Sequence, residues 1–194
     1  MTRVDVLGPQ TQIVAMAFGS VIFETALGFA GLAWGEHGIM RVVLPEPSPD
    51  AARAALLRRG LEVEEAELPP NVRKAIEQVA ALLNGAPADF SGIEIDLSEM
   101  PEFSRRVYEV ARAIPPGSTL TYGEVAAKLG QPSAAREVGQ AMGQNPVPIL
   151  IPCHRVVAAS GKIGGFSAPG GSATKQKLLA IEAAHQPGTL FSKR

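Results

Sequence analysis

The chain has 194 residues, which is enough for one large domain or two small ones. Hydrophobic residues make up 46% of it and charged residues 19%, a composition that excludes an intrinsically disordered protein. The single cysteine excludes a disulfide framework and also a zinc site built from several thiolates.

The net charge of −1 conceals two oppositely charged halves. Residues 101–194 carry 11 basic and 5 acidic side chains, a net of +6, whereas residues 1–100 carry 7 basic and 14 acidic side chains, a net of −7. This asymmetry favours two domains with different partners and makes nucleic acid a candidate partner of the basic half. An uneven but merely solvated surface is the alternative.

A long apolar stretch near the beginning of the chain raises the question of a membrane span. Glu24 is the only charged residue between Ile13 and Gly35. A charge at the centre of the stretch is costly in lipid, and four glycines interrupt it. The pattern of a cleaved signal peptide is also missing. We therefore expect a cytoplasmic protein with a buried sheet and no membrane partner.

The first half of the chain alternates strand and helix patterns. The predicted elements are strands at Gln12–Phe18, Gly28–Trp34 and Ile39–Leu44, helices at Pro49–Arg59 and Asn71–Leu83, and a strand at Ile93–Leu97. The second and third strands flank Gly-Glu-His-Gly and predict a hairpin. Residues 1–98 are thus predicted to form a small α/β domain with a sheet and flanking helices, and nothing in it resembles a catalytic site.

The second half is mainly helical, and we predict a second domain over residues 99–194. Its predicted elements are helices from Pro101 to Ile114, from Tyr122 to Leu129 and from the cap Ser133 to about Gln144, a strand-like run at Val147–Ile151, a glycine-rich loop at Ser160–Gly171 and a helix from about Ser172 to Ala184. Two short helices joined by a glycine-containing turn, the second carrying Arg136, indicate a winged helix-turn-helix-like domain. Many helical hairpins bind nothing, so DNA binding and a purely structural hairpin both stay open on this pattern. The fold class predicted for the whole chain is α+β.

The lone cysteine, Cys153, is followed by His154 and Arg155. A lone cysteine is usually a small buried hydrophobe, but neighbouring positive charge lowers a thiol pKa and raises the thiolate fraction. On an extended chain adjacent side chains point in opposite directions, so His154 is expected to reach the sulfur through a bridging water. Glu182 on the last helix is a candidate to orient the imidazole.

The segment Asn145-Pro-Val-Pro-Ile-Leu-Ile-Pro-Cys-His-Arg-Val-Val157 closely resembles the active-site segment of the O6-alkylguanine-DNA alkyltransferases, also called methylated-DNA–protein-cysteine methyltransferases. The resemblance extends from about Pro101 to Glu182. It includes Ala134-Ala-Arg-Glu-Val-Gly139 and Gly164-Gly-Phe-Ser167. The first half of the chain resembles the variable domain of the family only in length and hairpin pattern.

The resemblance implies a single-turnover DNA repair protein that transfers an alkyl group from O6-alkylguanine to its own cysteine. Cys153 would be the nucleophile and permanent acceptor, and His154 would take the thiol proton through water, with Glu182 behind it. Tyr122 would give a proton toward the guanine ring, and Asn145 would hold the active-site turn. These five residues are the catalytic set that the resemblance implies, and it needs neither a metal nor a cofactor.

The resemblance also implies contacts with double-stranded DNA. Arg136 would fill the gap left in the base stack by a flipped guanine, and small residues such as Ala135 would let its helix approach a groove. Tyr122 and Arg155 complete the predicted DNA-binding set. Three more residues, Val156, Phe166 and Ser167, would contact the flipped base. We expect the protein to act as a monomer.

The sequence departs from the family pattern at two places, and two other functions stay open. Phe166 stands where many relatives have tyrosine, which puts in question a hydrogen bond from that phenol but keeps a ring for packing. Ala168-Pro169 lengthens the loop relative to some relatives, which puts the preferred alkyl group in question. A damage sensor or winged-helix regulator would tolerate Cys153→Ala. A cysteine hydrolase using Cys153, His154 and Glu182 would turn over repeatedly and would have no need of Arg136.

Overall fold

A computed structural model describes residues 19–58, 67–159, 163–166 and 170–184. The strands within these ranges are β1 (Gly19–Thr25), β2 (Gly28–Gly35), β3 (Gly38–Glu46), β4 (Leu120–Thr121) and β5 (Val156–Val157). The helices are α1 (Pro49–Leu57), α2 (Pro70–Leu83), α3 (Glu102–Arg112), α4 (Tyr122–Lys128), α5 (Ala135–Gly143) and α6 (Ser172–Ala183), with one turn of 3₁₀ helix at Cys153–Arg155. This combination of small sheets and helices is the predicted α+β class.

Strands β1, β2 and β3 form an antiparallel sheet in that order. The predicted hairpin is confirmed by the pairing of β2 with β3, which closes at Gly35 and Gly38. Gly38 has φ +127°, and a Cβ there would lie 2.7 Å from the carbonyl oxygen of Glu94, so only glycine fits. Strand β1 was not predicted. The predicted strand Gln12–Phe18 lies outside the described residues.

Both helices predicted in the first half are present, and they cover the sheet. The side chain of Ser48 caps α1 by accepting a hydrogen bond from the Ala51 amide at 3.2 Å, as expected of an N-cap serine. Helix α1 packs on β2 and β3, and α2 packs on β1, β3 and α6.

The strand predicted at Ile93–Leu97 is wrong in extent, because only Ile95 makes a ladder contact, a single parallel bridge to Ile39. Around this bridge the Ile39 amide donates to the Glu94 carbonyl oxygen and the Asp96 amide donates to the Ile39 carbonyl oxygen, both at 3.0 Å. The side-chain amide of Asn71 also donates to the Glu94 carbonyl oxygen, at 3.1 Å, and its oxygen accepts from the Glu94 amide at 2.9 Å. The Asn71 side chain thus holds this segment in addition to its short pairing with β3.

The helices α3, α4 and α5 pack against one another in the second half. Thr121 and Glu124 form a capping box at the start of α4. The predicted cap of α5 is wrong by one residue, since the N-cap is Ala134 and it makes no side-chain bond. The tight turn runs on to Ala134, whose amide bonds the Gln131 carbonyl oxygen at 2.9 Å.

The strand-like run predicted at Val147–Ile151 is a turn. Prolines at 146, 148 and 152 remove backbone donors from this stretch, so it cannot form a continuous ladder. Ile149 has φ +76°, a left-handed conformation that reverses the chain. Instead of a long strand, the two-residue strand β5 follows the turn and pairs in parallel with β4.

One cluster of buried apolar side chains runs from the N-terminal sheet to α6. It includes Trp34 on β2, Tyr108 on α3 and Leu178 on α6. The amide of Val42 on β3 also donates to the Pro146 carbonyl oxygen at 3.0 Å, which ties the sheet to the proline-rich turn. The division of the chain into two domains between residues 98 and 99 stays a prediction.

The apolar stretch that raised a membrane span forms β1 and β2 over its described part. Among the described residues, no helix has the length and apolar character needed to cross a bilayer.

Candidate active site

Asn145 holds the turn that precedes the cysteine. Its side-chain amide donates to the Ile151 carbonyl oxygen at 2.8 Å, and its oxygen accepts from the Val147 amide at 3.0 Å. The Cys153 amide then donates to the Ile151 carbonyl oxygen at 2.8 Å. These bonds are buried, so the Asn145 side chain supplies the partners that the proline-rich backbone cannot.

The thiol of Cys153 forms part of the wall of an open cleft of about 440 Å³. The cleft is mostly apolar and is lined by Tyr122, Gly139, Met142, Gly143, Cys153, Gly165 and Phe166. The cysteine itself is only 6% exposed. A planar ligand could enter the cleft, pack on its largely apolar walls and reach the sulfur from this side.

Cys153 and His154 lie on one turn of 3₁₀ helix, not on the extended chain assumed from the sequence. His154 is fully buried, and its Nε2 lies 2.9 Å from Oε1 of Glu182. Burial lowers the pKa of His154, against the opposite effect of the carboxylate, so we assign a neutral imidazole. Because Nε2 donates to Glu182, the free lone pair belongs to Nδ1, which has no partner among the described residues.

The charge of Glu182 is balanced by Arg155. The guanidinium donates from Nη2 to Oε1 of Glu182 at 2.7 Å and from Nε to Oε2 at 3.0 Å, and Nη1 donates to the Ile114 carbonyl oxygen. Burial alone would raise the pKa of Glu182, but the hydrogen bonds from His154 and Arg155 prevail and lower it to about 2. Glu182 is therefore a carboxylate that fixes two neighbours.

This arrangement changes what was expected of Arg155. It was predicted to contact DNA and to supply positive potential at the thiol. Its side chain is buried, however, and its donors are taken up by Glu182 and Ile114. A direct contact of Arg155 with DNA would require this internal ion pair to break, so the structure gives the residue a supporting position behind His154.

Tyr122 begins α4 and faces the cleft between two glycines. A Cβ on Gly164 would lie 3.2 Å from the Tyr122 hydroxyl, and one on Gly139 would lie 3.9 Å from its ring. Gly164 also has φ +75°, which a side chain rarely adopts. Burial raises the pKa of Tyr122, and the negative charge of a Cys153 thiolate acts in the same direction, so the phenol keeps its proton at neutral pH.

Lys175 is the site residue that the sequence analysis missed. It is 1% exposed, and its Nζ donates to the Val156 carbonyl oxygen at 2.6 Å and lies 5.8 Å from the centroid of the Tyr122 ring. Residues 175, 178 and 182 share one face of α6, and all three are buried. This helical spacing, with a lysine and a glutamate on the side of Leu178, was the available signal.

Arg136 is exposed on the first turn of α5, and Ala135 beside it is half-buried. Residues 136, 139 and 143 share a helix face, and the latter two are glycines that line the cleft. Arg136 thus lies on the face of α5 that borders the cleft.

Three predicted base contacts have different outcomes. Phe166 lines the cleft, and Val156 is buried with its carbonyl oxygen bound by Lys175. Ser167 lies outside the described residues.

The chain is similar to known proteins over its second half. Residues 102–184 match the family model for the DNA-binding domain of 6-O-methylguanine DNA methyltransferase. A methylated-DNA–protein-cysteine methyltransferase of Mycolicibacterium paratuberculosis is 48% identical over 116 residues, which cover 60% of this chain and 68% of the relative.

Solved structures extend the similarity to most of the chain. A crystal structure of the Mycobacterium tuberculosis O6-methylguanine methyltransferase is 32% identical and has a TM-score of 0.69, with 89% of this chain and 97% of that chain covered. A second structure from the same organism, in complex with DNA, is 30% identical with a TM-score of 0.66, covering 88% and 96% of the two chains. The chain therefore belongs to the O6-methylguanine-DNA methyltransferase family.

Proposed function

We propose that this protein repairs DNA by moving the alkyl group of O6-alkylguanine onto the sulfur of Cys153. One observation carries the proposal: the lone thiol faces an apolar cleft and is followed by a neutral, buried His154 that Glu182 holds by its Nε2. Membership of the family, including a similar protein solved in complex with DNA, supports the same activity.

The first step is removal of the thiol proton. Burial raises the pKa of Cys153, although a hydrogen bond from Asn145 and the charge of Lys175 act in the other direction, so the resting group is a thiol. Nδ1 of His154 is the acceptor, reached through a water molecule. Glu182 favours this tautomer and stabilises the imidazolium that forms.

The second step is displacement at the alkyl carbon. The thiolate forms a carbon–sulfur bond, the bond from that carbon to O6 breaks, and its electron pair moves into the guanine. A ring nitrogen of the guanine then takes a proton from the Tyr122 hydroxyl, and the proton held by His154 replaces the one that Tyr122 has given. The products are unmodified guanine and an S-alkyl cysteine. A thioether has no easy route to hydrolysis, so each molecule acts once.

The target oxygen lies inside the duplex, so the base must leave the stack to reach Cys153, at a cost of a few kcal/mol. Arg136 is proposed to fill the gap, because it is exposed on the helix that also supplies Gly139 and Gly143 to the cleft. Helices α4 and α5 would act as the helix-turn-helix, and Ala135 would permit their close approach to a groove. The location predicted from the sequence, the cytoplasm, is part of this proposal.

A duplex carrying one O6-methylguanine tests the function. We expect excess protein to restore guanine in the duplex and Cys153→Ser to restore none. Arg136→Ala should repair the duplex at least about tenfold more slowly, because a wedge contributes on the order of the extrusion cost.

A matched control for the arginine is Arg53→Ala, which removes an exposed arginine from α1 on the N-terminal sheet and should repair at the wild-type rate. Repair by Cys153→Ser would refute Cys153 as the alkyl acceptor. Equal repair rates in Arg136→Ala and wild type would refute the proposal that Arg136 fills the gap in the base stack.

A further inference from the structure

Helix α5 carries both Arg136 and part of the cleft wall, yet little within the helix holds it in place. It has nine residues, and its N-cap Ala134 makes no side-chain bond. Two of the nine residues, Gly139 and Gly143, are glycines that line the cleft, and glycine weakens a helix more than any residue except proline. A helix this short is marginal by itself in water, so its position depends on contacts with the rest of the protein.

The C-terminal end of α5 is held by a tyrosine of α3. Tyr108 is fully buried, and its hydroxyl donates to the Ala141 carbonyl oxygen at 2.9 Å. This carbonyl belongs to the last turn of α5, whose carbonyl groups have no partners further along the helix. It also accepts from the Gln144 amide at 3.0 Å, so both of its lone pairs are used. Tyr108 therefore caps α5 from a neighbouring helix.

The capped turn lies next to the reacting sulfur. Met142 and Gly143 directly follow Ala141, and both line the cleft together with Cys153. The cysteine is only 6% exposed, so the walls of the cleft leave little of it open to a reagent. The hydrogen bond from Tyr108 thus fixes the part of α5 that restricts access to the thiol.

The same tyrosine is within electrostatic reach of the N-terminal sheet. Burial raises the pKa of Tyr108 to about 12, the negative charge of a Cys153 thiolate acts in the same direction, and the positive charge of Arg41 on β3 acts in the opposite one. The next residue on β3, Val42, donates its amide to the Pro146 carbonyl oxygen at 3.0 Å. The sheet therefore supports both the end of α5 and the turn that follows it.

We infer that Tyr108 is a positioning residue of the alkyl transfer, whose hydroxyl holds the last turn of α5 against the cleft and so compensates for the glycines that weaken this helix. The inference rests on the proposed function for its role in repair. Its effect on access to the thiol is a property of the protein without DNA.

The geometry predicts opposite effects of Tyr108→Phe on two reactions of the same sulfur. A small reagent should reach Cys153 more often, because the wall formed by Met142 and Gly143 opens more often. A base in the cleft should pack against a less ordered wall, with Arg136 less well placed at the other end of the helix, so transfer from DNA should slow. The loss of one hydrogen bond changes a local opening equilibrium of this kind by about three- to tenfold.

The first test is alkylation of Cys153 by iodoacetamide in the whole chain without DNA. Because the chain has one cysteine, the modified fraction reports this thiol alone. We expect Tyr108→Phe to react about three- to tenfold faster than wild type. The midpoint of the pH–rate profile should stay unchanged, because the phenol that is removed is uncharged well above neutral pH. The same variant should take the methyl group from O6-methylguanine in a duplex about three- to tenfold more slowly.

Val43→Ala is the matched control for a loss of stability. Val43 packs with Ala55 and Leu56 in a separate cluster between the sheet and α1, so removal of its methyl groups destabilises the protein away from the cleft. It should leave both rates at the wild-type value. A folded Tyr108→Phe protein with the wild-type iodoacetamide rate would overturn the inference, as would slowing of both its reactions. Equal acceleration in Val43→Ala would overturn it as well, because the cause would then be general destabilisation.

A second variant tests the link to the glycines of α5. A Cβ on Gly143 would meet no atom within 4 Å, and alanine favours a helix more than glycine does. We expect Tyr108→Phe to accelerate alkylation less in a Gly143→Ala background than in the wild-type background, because a stronger last turn depends less on the hydroxyl. Equal acceleration in both backgrounds would refute an action of the hydroxyl through this turn. Failure of wild-type protein to repair DNA would refute the proposed function and leave the thiol measurements standing.

Discussion

Replacing Glu182 with glutamine keeps the shape of the side chain and removes its charge from the centre of the buried cluster. Four N–H groups point at the carboxylate, namely those of His154 Nε2, Arg155 Nε, Arg155 Nη2 and the Gly117 amide. An amide has one oxygen and one NH2 group. In either orientation the NH2 group therefore meets at least one donor, and Arg155 is left buried without a counter-charge.

The pKa of Glu182 sets the size of the effect. It is lowered from 4.5 to about 2 in the folded protein, which corresponds to about 3 kcal/mol of stabilisation at pH 7. Removal of one partner from a buried ion pair costs a similar amount, about 3–5 kcal/mol. Because the pKa is lower in the folded than in the unfolded state, the stabilisation is complete above about pH 5.5 and is lost as the pH falls from about 4.5 to about 2.

Urea unfolding of wild type and Glu182→Gln at two pH values measures this contribution. We expect the variant to unfold with about 3 kcal/mol less free energy at pH 7, and the difference to shrink by about 1.4 kcal/mol at pH 3.5, where part of the wild-type stabilisation is gone. Glu109→Gln, which removes an exposed carboxylate from α3, is the matched control and should change stability little at either pH. A difference between wild type and Glu182→Gln that is below 1 kcal/mol, or is independent of pH, would refute the assignment of Glu182 as a paired buried anion.

Three further substitutions test other parts of the site. Asn145→Ala leaves the buried Val147 amide without a partner and the Ile151 carbonyl oxygen with the Cys153 amide alone, so it should lower the unfolding free energy by about 1–3 kcal/mol, measured by urea unfolding; a loss below about 0.5 kcal/mol would show that the turn holds without this side chain. Gly164→Ala places a methyl group 3.2 Å from the Tyr122 hydroxyl, so the rate of methyl transfer from DNA should fall at least about tenfold, and an unchanged rate would contradict the close fit. Tyr122→Phe removes the proposed proton donor and should slow transfer from DNA by about 100-fold while iodoacetamide still alkylates Cys153; equal slowing in both assays would mean that the variant had only damaged the cleft.

Two contacts of the site agree with the sequence analysis and the family resemblance. Asn145 was expected to hold the turn before Cys153 and Glu182 to orient His154, and both hydrogen bonds are present, although Glu182 lies 28 positions from His154 and the resemblance, not a local signal, supported that pairing. The relative orientation of Cys153 and His154 was not predicted, because the two lie on a 3₁₀ turn and not on an extended chain. The β2–β3 hairpin and most helices were also predictable, since glycine turns and apolar periodicity are local signals.

Long-range pairing decided the points on which the prediction failed. Arg155 was assigned to DNA because a sequence shows its charge but not the carboxylate 27 positions away that balances it. Lys175 was passed over for the opposite reason, since a lysine in a helix is normally solvated and only the packing of α6 against the 3₁₀ turn that carries Cys153 buries it. At Ile93–Leu97, alternation predicted a strand, but only the bridge at Ile95 pairs with β3, and the Glu94 amide bonds to the side chain of the distant Asn71.

The most direct test of the account is mass spectrometry of the protein after incubation with excess duplex that contains O6-methylguanine. We expect one methyl group per protein molecule, seen as a mass increase of one CH2 and located on the peptide that contains Cys153, with no further transfer when fresh damaged duplex is added. Restored guanine with unmodified Cys153, a methyl group on another residue, or repeated turnover by the same molecule would contradict the account.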